Sequence, residues 1–322
     1  MKILITGCAG FIGYHLSSKI LQNKNIEVYG IDNLNTYYDV DLKKSRLKKL
    51  KKNKKFNFKK IDITDDKKIQ KEFQNNKFKI VIHLAAQAGV RHSINNPRTY
   101  LDTNINGFFN ILESSKEFKV SHFIFASTSS VYGDGDFFPL KESHNTDGPL
   151  SFYAATKKSN EVMAYAYSNI YKIKVTGLRF FTVYGPYGRP DMALFKFTKS
   201  ILNSEKIKLF NKGDHIRDFT YIDDVVESIV KIIKKPSKKS IPYQIINIGS
   251  NNPQTLSIFL KYIEQFLGKK AKYKKLPMQK GDVYKTHASI STLIKQIGYT
   301  PKIGIKKGVE NFINWYKGFY KQ

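Results

Sequence analysis

Only one cysteine, Cys8, occurs in the 322 residues of the chain, which excludes an internal disulfide and a cysteine-based zinc site. No uninterrupted apolar run approaches the roughly 18 residues that a membrane-spanning helix requires. No charged and then apolar leader precedes Lys2, and the histidines show no metal-ligand spacing. These absences predict a cytoplasmic protein without a metal site and without a membrane partner.

Arginine is also scarce, with six residues among the 55 basic ones, although the formal net charge is +29. Proteins that read bases or phosphates usually rely on arginine, whose planar fork makes paired hydrogen bonds. The lysines are spread over most of the chain, and the dense block from Lys43 to Lys60 has little aromatic interleaving. We therefore expect no nucleic-acid partner, and the excess charge at most steers an anionic substrate.

A glycine pattern near the N-terminus has the order of a nucleotide-binding turn. Lys2 to Thr6 reads as a short buried strand, and Gly7, Gly10 and Gly13 follow it at the start of a helical pattern. The first glycine permits a tight turn, and the second lets the backbone approach a pyrophosphate at the helix N-terminus. The third lets the helix pack closely on the strand, so the spacing predicts a dinucleotide site.

An acidic residue ends the next predicted strand, Glu27 to Ile31. There the carboxylate of Asp32 is placed to accept hydrogen bonds from both ribose hydroxyls of an adenosine, and it would repel a 2′-phosphate. The pattern favours NAD over NADP, although Arg46 and the nearby lysines weaken that preference.

Tyr153 and Lys157 are four residues apart in a run from Ser151 to Tyr171 whose apolar residues recur at helical spacing. On a helix they share a face, and an ammonium beside a phenol lowers the pKa of the phenol from about 10 towards neutrality. Tyr153 is therefore a candidate proton acceptor. Such a pair is also common on the solvated helices of a lysine-rich chain, and the glycine pattern is what favours the catalytic interpretation.

Strand patterns alternate with helical patterns along most of the chain. The further strand candidates are Phe56 to Ile61, Ile80 to Leu84, His122 to Ala126, Val175 to Phe180 and Gln244 to Ile248. The alternation predicts an α/β protein with a Rossmann-type, doubly wound parallel sheet and a smaller C-terminal α/β substrate-binding domain. We expect a cofactor domain at 1–178, with a return of the chain at about 219–251, and a mainly substrate-binding domain at 179–322.

Ligands of doubly wound sheets bind beyond the carboxyl ends of the strands. At those ends Asp62 and Ile63 are candidates for holding an adenine, and Leu84 to Ala86 for lying along the cofactor. The hydroxyls of Thr128 to Ser130 are candidates for binding a substrate hydroxyl. A structural hydrogen bond from Asn104 is as consistent with the sequence as a functional one.

Together these motifs resemble the extended short-chain dehydrogenase/reductase family over essentially the whole chain. Within it, the segments Leu178 to Met192 and Arg217 to Asp224 resemble UDP-glucuronate 4-epimerases. The resemblance implies an isomerase with tightly bound NAD⁺ that converts UDP-glucuronate to UDP-galacturonate through a transient 4-keto intermediate. It also implies a homodimer that pairs through the helices predicted at 97–118 and 151–171.

The resemblance, with the motifs above, assigns three groups of residues. The catalytic residues are Thr128, Tyr153 and Lys157. The cofactor-binding residues are Gly7, Gly10, Phe11, Ile12, Gly13, Asp32, Asp62, Ile63, Leu84, Ala85, Ala86, Asn104, Tyr153 and Lys157. The substrate-binding residues are Ser129 and Ser130 beside the sugar, Thr182 and Arg189 at the sugar carboxylate, and Arg217 and Asp282 at the UDP moiety.

Two departures from the epimerase pattern are Ser289, where an acidic residue is usual, and Gly148-Pro149 before the catalytic helix. A 4-epimerase for UDP-hexoses or UDP-N-acetylhexosamines stays open, and in it Arg189 would bind nothing charged. A UDP-glucuronate decarboxylase also stays open, although its usual asparagine after Arg-x-Phe is replaced here by Phe181-Thr182.

Two more distant alternatives fit the residues less well. A 4,6-dehydratase would carry an acidic pair beside the catalytic threonine, where Ser129 and Ser130 stand. A redox-inactive NAD-binding regulator or scaffold would not need Thr128, Tyr153 and Lys157 together.

Overall fold

The computed structural model describes residues 1–135, 137–279 and 281–321. Its strands are β1 Lys2–Thr6, β2 Glu27–Asp32, β3 Phe56–Lys60, β4 Ile80–His83, β5 His122–Thr128, β6 Val175–Phe180, β7 Thr182–Tyr184, β8 Lys206–Phe210, β9 Ile216–Tyr221, β10 Tyr243–Ile248, β11 Pro253–Thr255 and β12 Lys272–Leu276. Its α-helices are α1 Phe11–Ile20, α2 Val40–Leu50, α3 Asp66–Asn76, α4 Val90–Asn95, α5 Pro97–Tyr100, α6 Gly107–Glu117, α7 Phe152–Tyr171, α8 Ala193–Leu202, α9 Ile222–Ile233, α10 Leu256–Leu267, α11 Ser291–Ile297 and α12 Ile305–Tyr320. None of these helices is long and apolar enough to cross a membrane.

Within the described residues, seven parallel strands form the central sheet in the order β3, β2, β1, β4, β5, β6 and β10. The strand order reverses between β1 and β4, and this reversal opens a crevice at the carboxyl ends of the strands. The predicted fold class, a Rossmann-type doubly wound sheet with a smaller C-terminal α/β part, is confirmed. The domain boundaries stay a prediction.

The central strands are buried on both faces because helices cover the parallel sheet on each side. Along β5, Phe123 and Phe125 belong to one hydrophobic core, whereas Ile124 between them belongs to the other. The same alternation holds in β1, where Leu4 packs on the side opposite to its neighbours. This two-sided packing fixes the register of the strands, and therefore the level at which their carboxyl ends lie.

The C-terminal part contains two small sheets, one of β7, β9 and β11 and one of β8 and β12. Asp218 on β9 is fully buried, and its carboxylate accepts backbone N–H groups from Ser250, Asn251 and Ala288 at 2.6 to 3.0 Å. These bonds tie β9 to the turn that follows β10. The C-terminal strands are thereby held beside the carboxyl end of the central sheet.

The helix predicted from Pro97 to Phe118 is not continuous. A π-helical segment, Leu101–Asn106, separates α5 from α6. Its residue Asn104 is bound on both sides, because its backbone carbonyl accepts the amide of Asn160 on α7 at 2.6 Å and its side chain binds the loop after β4. Periodicity alone does not report such a local widening of the helix, which often occurs at functional sites.

A buried ion pair fixes α7 against the sheet. Arg179 on β6 donates from Nε and Nη2 to the two carboxylate oxygens of Glu161 on α7, at 2.9 and 2.8 Å. The hydroxyl of Ser127 on β5 donates to the same carboxylate at 2.5 Å, and the Tyr132 ring lies against the guanidinium. A two-point pair of this kind sets both the position and the rotation of the helix.

Candidate functional site

A cavity of about 1000 Å³ opens at the carboxyl ends of the central strands. Most of the predicted site residues line it, namely Gly7, Gly10, Phe11, Ile12, Gly13, Asp32, Ile63, Leu84, Ala85, Ala86, Thr128, Ser129, Ser130, Tyr153, Lys157, Thr182, Arg189, Arg217 and Asp282. Residues from both the central sheet and the C-terminal strands therefore meet in one space. Asp62 and Asn104 do not line it.

The glycine turn has no room for side chains at two of its positions. Gly7 has φ +71°, and a Cβ there would lie 2.8 Å from the Ala85 nitrogen. A Cβ on Gly13 would lie 2.2 Å from the Gly7 carbonyl oxygen. In the described part of the chain no side chain caps the first turn of α1, and that turn carries no acidic residue. A pyrophosphate fits this unsatisfied helix N-terminus, which is the requirement for NAD.

Asp32 lies at the end of β2 with its carboxylate held by two backbone amides. Oδ2 accepts from the N–H of Ala9 at 3.1 Å, and Oδ1 accepts from that of Leu34 at 2.8 Å. Burial raises the pKa of Asp32, whereas the Leu34 amide and the charge of Lys43 oppose that shift. Each oxygen keeps a further lone pair, so that the carboxylate is able to accept ribose hydroxyls.

Two residues predicted to bind the cofactor have structural partners. The carboxylate of Asp62 accepts from the Asn33 side chain at 2.8 Å and from the backbone and hydroxyl of Thr64. The amide of Asn104 pairs with the backbone of Gln87 in both directions, at 2.8 and 3.0 Å, and donates to Thr156 on α7. Their polar atoms face these partners and neither residue lines the cavity, so their role in cofactor binding stays a prediction.

Tyr153, Lys157 and Thr128 come together, but the electrostatics differ from the prediction. The ammonium of Lys157 donates to the backbone oxygen of Ala126 at 3.0 Å, and burial lowers the pKa of Lys157 to about 8. Burial raises the pKa of Tyr153, opposed by the charge of Arg189 and the hydroxyl of Thr128. The expected direction of the Tyr153 shift is therefore wrong here, because burial dominates and the cation acting on the phenol is Arg189.

Arg189 has a partner that the sequence pattern did not reveal. Its Nε and Nη2 bind the two oxygens of Asp191 at 3.0 and 2.5 Å, and the hydroxyl of Tyr37 donates to the same carboxylate at 3.2 Å. Although burial opposes it, the Arg189 charge holds the pKa of Asp191 below its ordinary value. One edge of the guanidinium is therefore occupied, and the end formed by Nη1 and the second Nη2 hydrogen is left for a ligand.

The opposite side of the cavity has a cluster of basic groups around Asp282. Arg91 Nη2 lies 2.8 Å from one carboxylate oxygen, and Arg217 Nη2 lies 3.4 Å from the other. His215 Nε2 is 3.8 Å from the same carboxylate. One acid among two arginines leaves net positive charge, which suits an anionic ligand. No motif in the sequence pointed to Arg91 or His215, because they reach Asp282 only through the fold.

A Rossmann-type sheet with a glycine turn, a carboxylate at the end of β2 and a Tyr-x-x-x-Lys helix on one cavity defines a nucleotide-dependent enzyme of the short-chain type. Residues 3–249 match the NAD dependent epimerase/dehydratase family. The chain belongs to that family, as the motifs predicted.

Relatives and solved structures agree along the whole chain. It is 48% identical to Protein CapI of Staphylococcus aureus, covering 100% of both chains. It is 44% identical to a UDP-glucuronate 4-epimerase of Thermodesulfobacterium geofontis, covering 98% of this chain and 95% of the relative. A UDP-glucuronic acid 4-epimerase of Bacillus cereus, solved with UDP-glucuronic acid and NAD, superposes with a TM-score of 0.93 at 36% identity, covering 99% of this chain and 100% of the other.

Replacement of Asp32 by alanine is expected to lower NAD affinity about tenfold to a hundredfold, because charge-assisted hydrogen bonds worth about 1.5–3 kcal/mol are lost. The loss of the repelling charge should also relax discrimination against NADP. Nucleotide content is measured by native mass spectrometry, and affinity by titration of stripped protein. Asp66→Ala is the matched control, since that exposed carboxylate at the start of α3 contacts Gln70 on the same helix. Full NAD retention by Asp32→Ala, or NADP in the wild-type protein, would contradict the assignment.

Proposed function

We propose that the protein is an NAD-dependent UDP-glucuronate 4-epimerase, which interconverts UDP-glucuronate and UDP-galacturonate. The observation that carries the proposal is one cavity lined by the glycine turn, Thr128, Tyr153 and Arg189, in which Thr128 and Arg189 both act on the phenol of Tyr153. A proton acceptor, a cofactor cradle and a cation for a carboxylate are the three elements that this reaction needs. The named activity of the relatives supports the same assignment.

NAD, when bound, supplies a reversible two-electron acceptor for C4′ of the sugar. Tyr153 accepts the proton of the 4′-hydroxyl in its phenolate form, which the charge of Arg189, the hydroxyl of Thr128 and, when bound, the positive charge of NAD⁺ would favour against burial. The Thr128 side chain orients the 4′-hydroxyl. Lys157, one helical turn after Tyr153, is anchored on the Ala126 carbonyl, and with a pKa of about 8 it is mostly protonated at neutral pH. Once the keto sugar has turned its other face towards the cofactor side, Tyr153 returns the proton to the 4′-oxygen, while the hydride that bound NAD would hold returns to the opposite face of C4′ and inverts it.

The proposed carboxylate site explains how a reactive intermediate is protected. The 4-keto sugar carries a carboxylate β to the ketone, and it loses CO₂ when the breaking C–C bond aligns with the carbonyl π system. Asp191 fixes one edge of Arg189, so that its free end presents two N–H groups in one orientation. Together with the Thr182 hydroxyl at the cavity wall, this end holds the carboxylate out of alignment.

The proposed UDP site lies around Arg217 and Asp282, the residues that the resemblance assigned to it. The diphosphate carries negative charge, and the surplus of arginine over acid there stabilises it. Ser129 and Ser130, half-buried at the cavity wall, lie between this end and Thr128 and are placed to bind sugar hydroxyls.

The proposal includes a homodimer in the cytosol. The helices α6 and α7 expose large apolar side chains, among them Phe109, Val162 and Tyr165, which are 43%, 56% and 46% accessible. Burying such a face against its copy forms a four-helix bundle. A cytosolic location agrees with a chain that has one cysteine and therefore no internal disulfide.

Val162→Lys is expected to convert the dimer into monomer, because a charge would then lie in the apolar interface. Sedimentation equilibrium measures the change. Ile294→Lys is the matched control, since this exposed isoleucine lies on α11. A wild-type monomer, or a Val162→Lys dimer, would refute the proposed pairing.

Incubation with UDP-glucuronate and no added NAD is expected to give UDP-galacturonate, as seen by proton NMR, because the cofactor is regenerated in each turnover.

Tyr153→Phe should lose about 10²–10⁴-fold in kcat with little change in UDP-sugar binding, since only the proton acceptor is removed. Tyr171→Phe, at the exposed end of the same helix, is the control. A UDP-pentose product would indicate a decarboxylase, and near-normal turnover by Tyr153→Phe would reject the proton acceptor.

Arg189→Ala is expected to raise KM for UDP-glucuronate about tenfold to a hundredfold, the value of a charge-assisted pair of about 1.5–3 kcal/mol. Weak binding of the neutral UDP-glucose should stay unchanged or improve, and a UDP-pentose by-product should appear in NMR spectra. Arg98→Ala, which removes a surface arginine, serves as control. Equal losses for charged and neutral sugars would make Arg189 structural and favour a UDP-hexose epimerase.

A further inference from the structure

The loop that carries Arg189 is held by side chains from the cofactor side of the cavity. We name residues 185–189 the carboxylate loop. Three consecutive carbonyls of this loop accept hydrogen bonds: that of Pro186 from His15 Nε2 at 2.9 Å, and those of Tyr187 and Gly188 from Arg46 Nη2 at 2.6 and 3.4 Å. Arg189 is the next residue. Its backbone position is therefore fixed from outside the loop.

The backbone of the carboxylate loop needs such support. Gly185 has φ +142°, and Tyr187, which is not a glycine, has φ +57°. A side chain in this left-handed region is strained and persists only where the surroundings hold it. The Tyr187 ring is packed against Tyr14 on α1 and Trp315 on α12, and the guanidinium of Arg46 holds its carbonyl.

The other side of the same guanidinium reaches the glycine turn. Arg46 Nη1 donates to the carbonyl of Ala9 at 2.8 Å, between Gly7 and Gly10, and binds the hydroxyl of Tyr38 at 2.9 Å. Arg46 is fully buried, and it forms no salt bridge with any residue that the structure describes. Its Nε has no hydrogen-bond partner there either. A buried cation held mainly by carbonyls is costly, and an apolar side chain would fill the same volume.

We propose that Arg46 is a positioning residue that joins the cofactor turn to the carboxylate loop. One planar group contacts Ala9 on one side and Tyr187 and Gly188 on the other, so that it sets the distance between the cofactor and Arg189. Arg46 is not among the residues that line the cavity. It is expected to control the recognition of charged sugars through Arg189, and the proposal rests on the function proposed above.

The test is a double-mutant cycle of Arg46→Met and Arg189→Ala, both in a Tyr153→Phe background that does not turn over. Equilibrium binding of UDP-glucuronate and of UDP-glucose to the NAD-loaded proteins is measured by calorimetry. Arg46→Met is expected to weaken UDP-glucuronate binding about tenfold and UDP-glucose binding far less, because only the charged sugar uses Arg189. In protein that already carries Arg189→Ala, Arg46→Met should cause no further selective loss, since coupled residues are not additive.

Further variants separate positioning from folding. Lys49→Met is the matched control, because Lys49 lies on the same helix with its ammonium 5.0 Å from the centre of the Tyr187 ring but binds no carbonyl of the loop. Arg46→Lys keeps the charge, but a lysine ammonium can bind either Ala9 or the carboxylate loop and not both. Its preference for UDP-glucuronate over UDP-glucose should therefore lie between those of the wild type and Arg46→Met. NAD dissociation from each protein is measured independently, and it should be faster in Arg46→Met, because Ala9 loses its partner.

Each outcome decides the proposal. Equal losses for the two sugars, or additive effects in the cycle, would overturn it and make Arg46 a general packing residue. Failure of both Arg46→Met and Arg46→Lys to fold would overturn it as well, since the guanidinium would then serve folding itself. If the wild-type protein binds no UDP-glucuronate, the proposed function fails, whereas loss of selectivity without coupling to Arg189 rejects the inference alone.

Discussion

The ion pair between Glu161 and Arg179 is the contact on which the site depends. It joins α7 to β6 at two points, and the Ser127 hydroxyl extends it to β5. Because the pair is buried and bidentate, α7 cannot slide or rotate without separating two buried charges. The catalytic residues depend on this fixed position of α7. In it, Lys157 reaches the Ala126 carbonyl and Tyr153 lies beside Thr128.

The six arginines are placed differently in the structure from the far more numerous lysines. Five of them are in or under the cavity: Arg46, Arg91, Arg179, Arg189 and Arg217. The remaining one, Arg98, is 81% exposed. Four of these five arginines donate to a carboxylate, Arg179 to Glu161, Arg189 to Asp191, and Arg91 and Arg217 to Asp282. Such a partner lowers the cost of burying the cation and fixes its orientation. The arginines thus hold other groups in fixed positions around the cavity, whereas most lysines contribute charge at the surface.

The sequence was sufficient for features that are local in the chain. The turn around Gly7 and Gly13, the carboxylate after β2 and the helical pair on α7 depend on spacing and secondary structure, and they were found. What it missed depends on contacts through space. No spacing rule reports that Asp191 occupies one edge of Arg189, or that burial dominates the pKa of Tyr153. The sequence leaves the role of Asn104 open, because its hydrogen-bond partner Gln87 lies in the loop after β4, 17 residues away in the chain.

The single cysteine gives the cavity a chemical property of its own. Cys8 lies inside the glycine turn with its side chain fully buried, and burial raises the pKa of its thiol well above the ordinary value. Its sulfur packs so close to Gly30 that a methyl group there would lie 2.6 Å away. Since only a thiolate reacts readily with electrophiles, the Cys8 thiol is unreactive while the turn is closed. Alkylation of Cys8 therefore reports the opening or unfolding of the turn, without an engineered cysteine.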